Sequence, residues 1–140
     1  MRVLIDTNVI LDYLLDREPF SDAADAVWQA GEAGRLEAFI SGITPVNVFY
    51  IARRLRGGVE AHNVVSALLS ASQVCTLDSA ILMDALELDF RDYEDAVQCA
   101  SATASGLDAI LTRDPRDYTS ASLPVFSPEQ FLSHLENSTL

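Results

Sequence analysis

The sequence contains no lysine: all nine basic residues are arginines, set against 21 acidic residues for a net charge of -12. Such a field repels phosphate, which argues against broad electrostatic binding of nucleic acid, and any local phosphate contact must use the planar guanidinium fork. The missing lysine also excludes a phosphoacceptor receiver domain, which needs an ammonium beside its aspartyl phosphate. Cysteine is scarce. Cys75, in an apolar strand-like run, and Cys99, in a helical pattern, have neither a disulfide framework nor metal-ligand spacing and read as buried free thiols. Long apolar runs are absent too. Asp6, Asn8 and Asp12 interrupt the N-terminal stretch before it could act as a signal or a membrane span, which predicts a cytoplasmic protein with no membrane role. No repeat, linker or low-complexity tract breaks the pattern, so one domain over 1–140 is expected.

What is present is an alternation of strand and helix signals. Val3-Leu4-Ile5 is continuously apolar, the habit of a strand buried on both faces, and it ends in Asp6-Thr7-Asn8. Val9, Ile10, Tyr13 and Leu14 follow at helical spacing, with Thr7 or Asn8 as the cap. Ser21 is placed to cap a second helix through Ala24, Val27, Trp28 and Ala30. Residues 37–41 read as a strand. Thr44, followed by Pro45, reads as the cap of a helix with Val48, Phe49 and Ala52 on one side. That helix ends in Arg53-Arg54-Leu55-Arg56-Gly57-Gly58, the densest basic cluster.

A helix through Val64 and Leu68, a strand at 74–77 and a helix capped by Asp78 come next. Residues 92–105 form the clearest later helix, 109–112 a buried strand, and Val125-Phe126 an edge strand. Ser127-Pro128-Glu129 opens a final helix. The fold class is therefore α/β, in three layers, with a central, mostly parallel sheet of four to five strands flanked by helices.

Asp6 and Asp114 stand at the carboxyl ends of two predicted parallel strands, and Asp95 lies in the first turn of the helix before the second. In open α/β sheets ligands collect at that edge. Clustered carboxylates repel one another unless a hard cation such as Mg²⁺ or Mn²⁺ compensates, and such an ion beside a phosphodiester activates water and neutralises developing charge. Plainer readings exist for each residue. Asp6 could merely cap the first helix, although Thr7 and Asn8 could do so too; Asp92 and Asp95 suit a helix start, and Asp114 and Asp117 suit a turn. A haloacid-dehalogenase-like phosphotransferase would need a second acid two residues after Asp6, where the chain has Asn8. His62 and His134 are isolated and receive no role.

Leu4-Ile5-Asp6-Thr7-Asn8-Val9-Ile10-Leu11-Asp12, Asp92-Tyr93-Glu94-Asp95-Ala96-Val97-Gln98 and Ile110-Leu111-Thr112-Arg113-Asp114 together resemble, in order and spacing, the PIN-domain family, and within it the VapC-type toxins and their small stand-alone relatives. The resemblance implies a Mg²⁺- or Mn²⁺-dependent endoribonuclease with Asp6, Asp95 and Asp114 as catalytic, metal-binding carboxylates. It implies that Asp117 assists and that Thr7, Asn8 and Thr112 orient carboxylates or waters by hydrogen bonding. A cognate antitoxin and a homodimer are implied partners, with RNA as substrate. One departure stands out: Asn47 occupies the helix position where the family usually has a glutamate, and it offers a carbonyl oxygen without negative charge. Arg53, Arg54 and Arg113 are the expected phosphate contacts. The alternative is a catalytically weakened PIN scaffold that binds RNA or protein.

Overall fold

A computed structural model of the chain describes residues 1–138. The elements run β1 (Arg2–Ile5), α1 (Thr7–Leu14), α2 (Ser21–Glu32), β2 (Glu37–Ile40), α3 (Thr44–Arg56), α4 (Gly58–Ala71), β3 (Gln73–Val74), α5 (Ser79–Leu86), α6 (Tyr93–Ala104) and β4 (Ala109–Leu111). A 3-10 turn (Pro115–Tyr118), β5 (Val125–Phe126) and α7 (Pro128–Ser138) complete them. The five strands form one sheet in the order β3-β2-β1-β4-β5, and every pairing is parallel. The edge position expected for Val125-Phe126 is observed.

Alternation along β1 explains the three layers. Val3 and Ile5 face a core shared with Val9, Val27, Val48 and Leu68, whereas Leu4 faces the opposite core with Phe39, Cys99, Ala102 and Ile110. Successive side chains of a strand point to opposite faces, so a strand apolar at every position must be covered on both. β4 repeats the division: Ala109 and Leu111 join the first core and Ile110 the second.

The chain winds outward from β1 through β2 to β3, then returns to place β4 on the other side of β1. This reversal sets the carboxyl ends of β1 and β4 side by side at a switch point, the place where open α/β sheets hold ligands. Asp6 N–H donates to the Leu111 carbonyl at 2.9 Å and Thr112 N–H to the Phe126 carbonyl at 3.0 Å, so the ladder extends one residue past each strand.

Several local expectations are corrected. Asp6 itself caps α1, its carboxylate accepting from Asn8 N–H; Thr7 and Asn8 are already helical. Thr44 is the first residue of α3, after Ile43 at the cap, and its buried hydroxyl meets that of Thr7 at 3.1 Å. Phe20 precedes α2, while Ser21 donates to Glu18. The strand expected at 74–77 is shorter and earlier, although Cys75 N–H still reaches the Ile40 carbonyl at 2.8 Å.

Asp78 and Asp92 cap α5 and α6 as expected. Ser127 and Gln130 exchange reciprocal bonds at the start of α7. Gly57, at φ 87°, ends α3 and lets the chain reverse into α4. Both cysteines are buried and free. Among the described residues no helix is long and apolar enough to cross a membrane.

Candidate active site

Asp6 is buried at the end of β1, and its carboxylate accepts four hydrogen bonds. Oδ1 receives Asn8 N–H at 3.2 Å and Gln98 Nε2 at 3.3 Å; Oδ2 receives the hydroxyls of Thr112 at 2.8 Å and Tyr118 at 3.2 Å. The Tyr118 oxygen also lies 3.3 Å from Asp95 Oδ1 and accepts from Gln98 Nε2 at 3.0 Å. Gln98, fully buried on α6, accepts Thr7 N–H at 3.1 Å through its amide oxygen. One side-chain network thus ties β1, α6, β4 and the 3-10 turn together.

Asp95, half-buried beneath the cap of α6, has its pKa pushed up to about 7. Burial is the largest cause, followed by the like charges of Asp6, Asp92 and Asp117, and the Tyr118 hydrogen bond offsets only part. Burial also raises the neighbouring Glu94, with Asp6 and Asp92 adding to it while bonds from Thr7 and Asn47 lower it. Buried between the two aspartates, the Tyr118 hydroxyl is shifted upward, so it keeps its proton and donates to one carboxylate at a time.

The other expected residues are placed differently from one another. Asn47 is part-buried and donates its amide to Glu94 Oε2 at 2.5 Å. Thr112 and Thr7 are buried in the network, while Asn8 contributes its backbone N–H. Asp114 turns away: it caps the 3-10 turn and pairs with Arg116 Nε and the far guanidinium nitrogen, both at 3.0 Å, which holds its carboxyl below the ordinary range. No hydrogen bond joins it to Asp6 or Asp95 among the described residues. Asp117 acts on Asp95 by its charge, and both line an open cleft of about 600 Å³ with Asp92, Arg91 and Arg116.

Arg113 engages Asp12 with both arms of its guanidinium and lies 3.8 Å above the Phe20 ring. That pairing draws it from the phosphate role expected of it. Arg53 and Arg54 are exposed near the end of α3, roughly 10 Å of helix rise beyond Asn47.

The sequence profile of the family described as PIN domain matches residues 2–116. The chain belongs to the PIN domain family. No curated protein matches it. Its fold is similar to that of the DNA-bound VapBC from Salmonella typhimurium, at TM-score 0.73 and 15% identity, covering 91% of this chain and 98% of that one. VapBC-1 from nontypeable Haemophilus influenzae aligns at TM-score 0.70 and 16% identity, covering 92% and 99%. A toxin of Mycobacterium tuberculosis that cleaves the sarcin-ricin loop, VapC20, aligns at TM-score 0.65 and 14% identity, covering 77% and 86%.

PIN nucleases generally use a divalent ion. Among the described residues no three His, Cys, Asp or Glu side chains gather closely enough to hold a metal. Two carboxylates, Asp6 and Asp95, nonetheless meet at one hydroxyl, and the like charges of Asp6, Asp92 and Asp117 add to the burial that raises Asp95. A small hard cation is commonly held by one or two carboxylates with water completing its shell. The chemistry of the Asp6–Asp95 pair therefore fits Mg²⁺ or Mn²⁺, with Asp117 beside it.

Three residues of the site were not singled out from the sequence. Gln98 had a usable signal, since it lies three positions after Asp95 on the same helix face. Glu94 was hidden beside a stronger acidic candidate. Tyr118 had none, because its hydroxyl reaches Asp6 only through the path of the 3-10 turn.

Proposed function

We propose that this PIN domain is a metal-dependent endoribonuclease, hydrolysing RNA phosphodiester bonds with Mg²⁺ or Mn²⁺ as the toxin of a toxin-antitoxin pair. The observation that carries the reading is the meeting of Asp6 and Asp95, from β1 and α6, on either side of one hydroxyl at the sheet's switch point. When bound, the ion supplies Lewis acidity to a water nucleophile and to the phosphate oxygens.

Asp6 and Asp95 would hold it. Gln98 and Thr112 orient Asp6 so that its carboxylate is fixed before substrate arrives. Glu94, steadied by Asn47, supplies beside them the negative charge that Asn47 lacks, and its oxygen can take the proton of an attacking water. Arg91 and Arg116 on the rim of the cleft are positioned to receive the RNA backbone, with Arg53 and Arg54 as more distant contacts. Asp114 remains available only if its pairing with Arg116 opens.

A divalent-ion-dependent cleavage assay on RNA tests the reading. Wild type should cut, and Asp6→Asn and Asp95→Asn should lose on the order of a hundredfold or more in rate. Cleavage undiminished in both variants, or none by clean wild type, would sink it. The structural neighbours, several of them toxin-antitoxin complexes, support a cognate antitoxin as partner, and a homodimer is proposed beside it. Exposed Tyr50 on α3 and Met83 and Leu86 on α5 offer apolar surface for such contacts, and light scattering at the mass of one chain would remove the dimer.

The second reading, a weakened scaffold that binds RNA or protein, is favoured by the uncharged Asn47 and the diverted Asp114. It expects RNA retention without cleavage.

A further inference from the structure

We propose that the Tyr118 hydroxyl stands in the place of a divalent cation between Asp6 and Asp95, so that tyrosine and ion compete for the same carboxylate oxygens. The inference rests on the metal-dependent reading above and adds what controls occupancy of that site.

An ionised carboxylate offers about four lone-pair sites. On Asp6 four donors of this chain already use them: Asn8 N–H, Gln98 Nε2 and the hydroxyls of Thr112 and Tyr118. An ion can reach Asp6 only by displacing one. Asn8 N–H belongs to the first turn of α1 and cannot leave without unwinding it. Gln98 is fully buried and anchored at its other end by Thr7 N–H, and the Thr112 hydroxyl makes the shortest of the four bonds at 2.8 Å.

Tyr118 differs from these three. It stands at the end of a four-residue 3-10 turn whose Arg116 and Asp117 are exposed, and its ring meets Phe90 edge-on at 5.5 Å between centroids. Its ring is buried in the core beside Leu4 and Ile110, so the hydroxyl withdraws only with a shift of that short turn, while β1, α6 and β4 stay in place. It is also the only one of the four donors bonded to Asp95, so its departure frees an oxygen on each carboxylate at once.

The hydroxyl shares one proton between two acids, whereas a divalent ion brings two positive charges. The tyrosine therefore holds the pair together at low ion concentration and yields at higher concentration, setting a threshold for loading. Nothing is transferred covalently; the proton stays on the phenol.

The test is Mn²⁺ binding to the full chain, followed by the electron paramagnetic signal of the free ion, in wild type and Tyr118→Phe. The variant retains the buried ring and its Phe90 contact, and a melting curve checks the fold. It should bind Mn²⁺ about tenfold more tightly, the value of one lost charge-assisted hydrogen bond. Wild type alone should show a tyrosine difference absorbance on loading, as the phenol leaves its acceptors. Equal or weaker binding by the variant overturns the inference while leaving the metal reading intact, since the hydroxyl would then be indifferent, a prop or a ligand. No Mn²⁺ binding by either protein overturns both.

Discussion

Asn47 on α3 donates its side-chain amide to the Glu94 carboxylate on α6, so the uncharged residue steers a neighbouring acid. Asn47→Glu would set a second carboxylate beside Glu94, and because a cation relieves the repulsion between them it should tighten Mn²⁺ binding by roughly three- to tenfold. The exchange Asn47→Glu with Glu94→Gln keeps one acid and one amide and should bind about as wild type does. Titration of the three proteins with Mn²⁺ decides it; an Asn47→Glu protein that binds no more tightly than wild type would show that this pair lies outside the field of the ion.

The Asp95 carboxyl predicts a pH dependence with a definite sign. Its folded pKa is raised from 3.8 to about 7, so the folded chain holds this proton more tightly than the unfolded chain does. The associated stability is fully present below about pH 4 and is lost as pH rises through about 7. Asp95→Asn should therefore melt higher than wild type at pH 8, with the gap closing toward pH 4. Parallel melting curves for the two proteins across that range would contradict it.

Asp12 is buried between two arginines, Arg17 at 3.0 Å and the bidentate Arg113. Removing a carboxylate from such a pair strands its partners, and because both arginines are about a third exposed, solvent recovers part of the loss. Asp12→Ala should cost about 2 kcal/mol in urea unfolding. Arg113→Lys, which keeps the charge but loses the fork and the stacking on Phe20, should cost about 1 kcal/mol. An Arg113→Lys protein of unchanged stability and lowered RNA affinity would return Arg113 to the phosphate role.

How much of this was legible in the sequence depends on the range of each interaction. β1, β4 and α6 were readable because a short apolar run, a helical period and a capping Asp92 are local signals. Asp6 and Asp95 were singled out by their position at the ends of those elements. The assignment of caps to Thr7 or Asn8, to Ser21 and to Thr44 failed by one or two residues, since a polar side chain just inside a helix looks the same in sequence as one at its cap. Asp114 was ranked above Asp117 by the resemblance, whereas the path of the 3-10 turn pairs Asp114 with Arg116 and leaves Asp117 as the one whose charge acts on Asp95.

By itself the sequence determined that the chain would fold as a layered α/β domain with acids at the carboxyl ends of its strands, because hydrophobic period and strand-end chemistry act over a few residues. Only the tertiary structure decided the state of those acids. The Tyr118 hydroxyl reaches Asp6 across 112 positions and Arg113 reaches Asp12 across 101. Contacts of that range depend on strand order and on the path of a short turn, and these arise from packing the whole sheet against both helical layers.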